Sequence, residues 1–161
     1  MFKKTEKNIQ VLSKEECIDI LQLNLKGVLA VYKEDGSLFA FHFNHIYLDG
    51  KLYFYVPKSE YNPQVIEDKD SVSFNISDGG FDNKNNWASY TKNVIIFGII
   101  NNINKDDEKL EILRQIFQND YSNSIELEKA IKQKVDTINI LELSINKISG
   151  KIESEKLSTL I

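Results

Sequence analysis

GVLAVYKEDG (27–36), SLFAFHFNHIYLDG (37–50) and KLYFYV (51–56) are three consecutive runs rich in Val, Leu, Ile, Phe and Tyr, separated by Asp35-Gly36 and Asp49-Gly50. An Asp-Gly pair tolerates the positive backbone angles of a tight hairpin turn, so the stretch predicts three antiparallel strands in succession. Side chains alternate across a strand, which puts Phe39, Phe41, Phe43, His45 and Tyr47 on one face of the middle strand and Ala40, His42, Asn44, Ile46 and Leu48 on the other. Neither face is wholly polar. Partial burial on both sides suits a barrel or a subunit interface better than an open sheet with one wet face.

The flanks add helices and further strands. Residues 2–12 read as an extended lead-in, and Ser13 with Glu16 forms a capping-box pattern that starts a helix over 13–24, with Cys17, Ile20, Leu21 and Asn24 facing inward. Pro57 ends the third strand, and Asn62-Pro63 opens a short helix, Pro63–Lys69. Ser71–Ile76 alternates as a fourth strand, whereas SDGGFDNKNN (77–86) has the composition of a loop. Val94–Ile103 is a β-branched strand whose central Gly98 marks a bulge or a close approach to the backbone. Asp106 and Asp107 begin a helix to about Asn119 with Leu110, Leu113, Ile116 and Phe117 as its stripe; a second, Ser124–Lys134, carries Ile125, Leu127, Ala130 and Ile131. A closing strand spans 137–149, most clearly at ILEL (140–143), before Gly150 and a polar tail.

Composition narrows the function. A chain of 161 residues with 42% hydrophobic content fits one domain with a real core, and a net charge of −4 argues against nucleic-acid binding. No segment is apolar enough to span a bilayer, and one cysteine, Cys17, allows no intrachain disulfide, so a soluble cytoplasmic protein is expected. His42 and His45 form an H-x-x-H, but a strand sends them to opposite faces, so no metal site is expected. No nucleophile motif or glycine-rich phosphate loop is present, and Asp106, Asp107 and Glu108 read as helix-start charges. The nine Phe and seven Tyr read first as core and interface residues.

LSKEECIDIL (12–21), GVLAVYKEDG, FNHIYLDGKLYFYV (43–56), SVSFNI (71–76), a loop carrying Trp87, NVIIFGIINNINKDDEKLEIL (93–113) and a final strand ending in KISGK (147–151) follow one another in this order. Together they resemble the FMN-binding split barrels related to pyridoxamine 5'-phosphate oxidase, most closely the branch containing nitroimidazole-resistance proteins. The resemblance implies a β-rich α+β fold: one split-barrel domain over 1–161, a six-stranded antiparallel barrel with main strands in 27–103 and a helical segment over 106–134. It also implies a homodimer binding FMN, with NAD(P)H as electron donor and a small electron-poor molecule as acceptor.

By the same resemblance the cofactor-binding residues are Asn44, the third-strand residues Phe54, Tyr55 and Val56, and Trp87, with Lys58 and Lys92 as the phosphate cations. No catalytic residue is assigned. The other reading is a non-catalytic split-barrel dimer that binds a small ligand or serves a structural role. The segment PKSEYNPQ (57–64) separates the two, because Tyr61 and Asn62 stand where the family carries a basic pair.

Overall fold

The computed structural model describes residues 6–61, 65–82 and 88–156. In chain order its elements are β1 (Glu6–Leu12), α1 (Lys14–Leu23), β2 (Lys26–Tyr32), β3 (Leu38–Asn44), β4 (Ile46–Leu48), β5 (Lys51–Pro57), β6 (Ser71–Asp82), β7 (Ala88–Ile103), α2 (Asp106–Phe117), α3 (Ser124–Lys134) and β8 (Ile138–Lys156). The strands form one antiparallel sheet in the order β3-β2-β6-β7-β8-β5-β4, with β1 paired to β8. β3 and β4 stand at opposite ends of that order yet are joined in sequence through His45 alone. One bent strand supplies both margins, so the sheet curls into a split barrel.

The expected strand through 38–48 is therefore broken, and the three-stranded meander is two hairpins, β2–β3 and β4–β5. The break has a cause. The buried His45 ring, with Nε2 2.9 Å from the Leu21 carbonyl of α1, holds the chain at the corner, while its N–H still donates to the Leu25 carbonyl at 2.9 Å as the last bond of the β2–β3 register. The turns behave as the sequence predicts: Gly36 has φ +88°, and Asp49 and Gly50 have φ +48° and +81°. Eight strands replace the expected six because the bent strand counts twice and the lead-in pairs as β1.

Other boundaries move for reasons of pairing. β6 and β7 run through much of the expected 77–86 loop: Ser77–Asp82 is strand, paired with Ala88–Asn93. Gly80 permits this, since a Cβ there would lie 2.6 Å from the Tyr90 hydroxyl. The closing strand extends past 149 to Lys156 because β7 flanks it on one side and β1 on the other. In the expected helix Pro63–Lys69, residues 65–69 form turns instead, and Pro63 lies outside the described residues. Asp68 Oδ1 accepts the Asn102 N–H and Asp70 Oδ2 accepts both the Glu67 N–H and Lys33 Nζ, so these carboxylates fasten the turns to neighbouring segments. Gly98 sits at a register shift, and a Cβ there would collide with the Ser144 carbonyl.

Two cores result. Inside the barrel, Leu29, Phe54, Phe74, Ile96 and Leu143 pack with Cys17, Ile20 and Leu21 of α1, whose capping box at Ser13 is formed as expected. Outside it, Tyr53, Ile103 and Ile140 pack against Ile112 and Leu113 of α2 and Ile131 of α3. Ile125, expected in the α3 stripe, is 81% exposed at the helix's first turn.

Candidate functional site

The break at His45 also opens the site. β3 is hydrogen-bonded to β2 and β4 to β5, so among the described residues the margin of β3 facing β5 has no strand partner. A cleft of about 340 Å³ lies there, lined by Lys26, His42, Phe43, Asn44, Tyr55, Val56, Pro57 and Glu60. Phe43, Val56 and Pro57 make it apolar, while Lys26, His42, Asn44, Tyr55 and Glu60 supply polar groups. A mostly apolar concavity with a few polar groups is the usual form of a cofactor or small-ligand site, and unpaired strand edges add backbone donors and acceptors.

Of the residues expected to hold a cofactor, Asn44, Tyr55 and Val56 line this cleft. Phe54 is fully buried and points into the barrel, packed against Phe43 and Phe74 with ring centroids 5.8 and 5.0 Å away. Lys58 is exposed at the rim, one residue after Pro57, and its N–H donates to the Thr137 carbonyl at 2.9 Å. Lys92 is half-buried on β7, in register with Asp78 and Ile152, and its Nζ lies 5.9 Å from the centre of the Tyr90 ring. It does not line the cleft. Trp87 lies outside the described residues. His42 and His45 fall on opposite sides, as alternation requires: His42 is exposed in the cleft, and burial lowers the pKa of His45 against the opposing effect of its hydrogen bond to Leu21.

Lys26 and Glu60 were not anticipated. Lys26 was within reach of the sequence, because a hairpin turning at Asp35 places Lys26 opposite Asn44, and that register is observed. Glu60 carries no local signal. It reaches the cleft through a turn in which its N–H donates to the Pro57 carbonyl at 2.9 Å.

A second polar cluster contrasts with the cleft. Glu142 on β8 is 6% exposed and accepts hydrogen bonds from Lys51 Nζ (2.8 Å), Tyr53 Oη (3.3 Å), Asn101 Nδ2 (3.2 Å) and Ser144 Oγ (3.0 Å). Burial raises its pKa, but the hydrogen bonds from Lys51 and Ser144 and the Lys51 charge outweigh that and hold it below the usual carboxylate range. Burial, followed by the Glu142 charge, pushes Tyr53 up to about 12. The cluster turns its buried polar groups on one another and ties β5, β7 and β8 together.

A curled antiparallel sheet with a cleft at its split defines a split barrel. The chain belongs to the pyridoxamine 5'-phosphate oxidase family, whose sequence model matches residues 13–152. Among solved structures, it is similar to a proposed 5-nitroimidazole antibiotic resistance protein of Bacteroides thetaiotaomicron (TM-score 0.73, 12% identity, 96% of this chain and 95% of that one). It is also similar to an FAD-binding protein of Mesorhizobium loti (TM-score 0.61, 20% identity, 92% and 98%). A third likeness is to an FAD- and haem-binding protein of Mycobacterium smegmatis (TM-score 0.65, 14% identity, 90% and 72%). A search of curated protein sequences finds no match. No helix among the described residues is long and apolar enough to cross a membrane.

Proposed function

We propose that the chain is a flavoprotein whose flavin ring lies in the cleft between β3 and β5, and that it passes electrons from a reduced nicotinamide to a small electron-poor acceptor. The observation that carries this is the cleft itself: Phe43, Val56 and Pro57 offer apolar walls, Asn44 and Tyr55 offer polar handles, and the adjoining margin of β3 is unpaired. Its volume falls near the lower end of the roughly 300–1,000 Å³ of small-molecule sites, enough for a ring system with the rest of the cofactor outside. Family membership and the flavin-binding relatives point the same way. A bound flavin supplies the hydride and one-electron chemistry, and the protein supplies placement and field. Tyr55 and Val56 would flank the ring, Asn44 would hydrogen-bond its polar edge, and Lys58 at the rim and Lys92 on β7 are the cations proposed for an FMN phosphate.

A second copy of the chain is proposed to cover the outer face of β2, β3 and β7, where Tyr32 is 66%, Leu38 69% and Phe97 47% exposed. The outward residues of β3 run from Leu38 to His42 and Asn44, so this face is continuous with the cleft. Sedimentation showing a stable monomer at micromolar concentration would overturn the dimer.

The test of function is the purified protein's absorbance and its affinity for FMN, FAD and riboflavin. Yellow protein, or submicromolar binding of one of these with NAD(P)H-dependent bleaching, supports the reading. Colourless protein that binds none of them favours the non-catalytic alternative.

A further inference from the structure

Lys26, His42 and Asn44 leave neighbouring positions of the β2–β3 hairpin: Lys26 is opposite Asn44, and Val28 is opposite His42. All four therefore share the outer face, and Lys26 and His42 are diagonal neighbours, a relation of about 7–8 Å that a lysine side chain spans. All but Val28 line the cleft. Several other lysines of the described barrel are engaged, Lys33 with Asp70 and Glu67, Lys51 with Glu142, Lys69 with Asn101 and Lys151 with Glu153, whereas Lys58 and Lys147 share the open state of Lys26 but do not line the cleft. Lys26 and His42 have no side-chain hydrogen bond or ion pair among the described residues, and Glu60 on the far wall pairs with neither.

We propose that Lys26 and His42 form an anion-recognising subsite in the cleft, taking a phosphate or carboxylate group of the ligand held against Tyr55 and Val56. The inference deepens the flavin reading and rests on it for the identity of the neighbouring ligand. The ammonium of Lys26 supplies a full positive charge and the imidazole of His42 a directional N–H. Glu60 repels an anion from the opposite wall and so confines it to the β2–β3 side. The anionic group belongs either to the flavin itself or to a second ligand that enters beside it, and both carry the same chemistry.

The sequence has two histidines, so ring-proton NMR separates exposed His42 from buried His45, with His42→Gln fixing the assignment. Titration with inorganic phosphate is expected to shift the His42 ring signals and leave those of His45 in place. Lys26→Gln should weaken that binding about tenfold, the effect of one charge-assisted contact, and Lys26→Arg should retain it. If the anion is the flavin's own phosphate, Lys26→Gln also weakens FMN about tenfold and leaves riboflavin unchanged. If it belongs to a second ligand, the FMN-loaded protein still shows the phosphate-dependent shift. Absence of the His42 shift, or an equal shift in Lys26→Gln, overturns the subsite. Phosphate binding without binding of either flavin retires the flavin reading and leaves the subsite standing.

Discussion

Around Glu142 every polar group has turned toward another, and in the cleft between β3 and β5 the polar side chains of Lys26, His42, Asn44 and Glu60 have found no partner within the described chain. Both clusters sit where β5 meets a neighbour. At Glu142 the neighbour is β8, bonded along the whole length of β5, and the outer face is roofed by α2 and α3. Charges taken out of water there are tolerable only because Lys51, Tyr53, Asn101 and Ser144 close on the carboxylate. At the cleft the neighbour is β3, which among the described strands bonds only to β2. Solvated groups along an unpaired margin need no internal partner, and that leaves them available to a ligand. The difference separates polar residues that hold the fold from polar residues that can act.

Breaking the closed cluster should have the largest effect. Glu142→Ala strands the Tyr53 hydroxyl and the donors of Asn101 and Ser144, and an expected loss of about 3 kcal/mol would appear in urea unfolding, with ligand affinity unchanged. A loss under about 1 kcal/mol would mean that water already shares the site.

The intermediate effect is a pH dependence at His45, whose Nδ1 is buried without a hydrogen-bond partner among the described residues and whose pKa burial depresses. The unfolded chain binds the proton more readily, so stability should be complete above the ordinary imidazole value and fall as pH drops through the folded one. His45→Gln should flatten unfolding free energy against pH over that window. An unchanged slope would assign the effect elsewhere.

The smallest stability effect belongs to the open cluster. Lys26→Ala and His42→Ala should each stay within about 0.5 kcal/mol of wild type in the same urea measurement. A larger loss would make them structural and erase the contrast.

Local chemistry was readable in advance. The Ser13 capping box, both Asp-Gly turns, the span Ser124–Lys134 and the close approach at Gly98 each depend on residues within a few positions, or on one residue type, and each is observed. What the sequence concealed depends on partners far along the chain. Nothing near His45 announces that its ring will be buried against the Leu21 carbonyl of α1. SDGGFDNKNN has a loop's composition, and only the cross-strand partners Ala88–Asn93 make its first half a strand. The cleft followed the same division: Asn44, Tyr55 and Val56 were found by resemblance, while Lys26 needed the hairpin register and Glu60 needed a turn with no distinctive sequence.

β8 pairs with β7, β5 and β1, and it is the last of the described strands to be synthesised. Until Ile138 and its successors emerge from the ribosome, β5 has only the three-residue β4 beside it, and one edge of β7 is bare. Closing the ring thus waits on contacts between distant parts of the polypeptide, which slows folding and leaves sticky edges open on the nascent chain. A nascent chain held just before Ile138 leaves the ribosome's exit tunnel would display both edges at once, a state in which a holding chaperone has more to grip than the finished barrel ever offers.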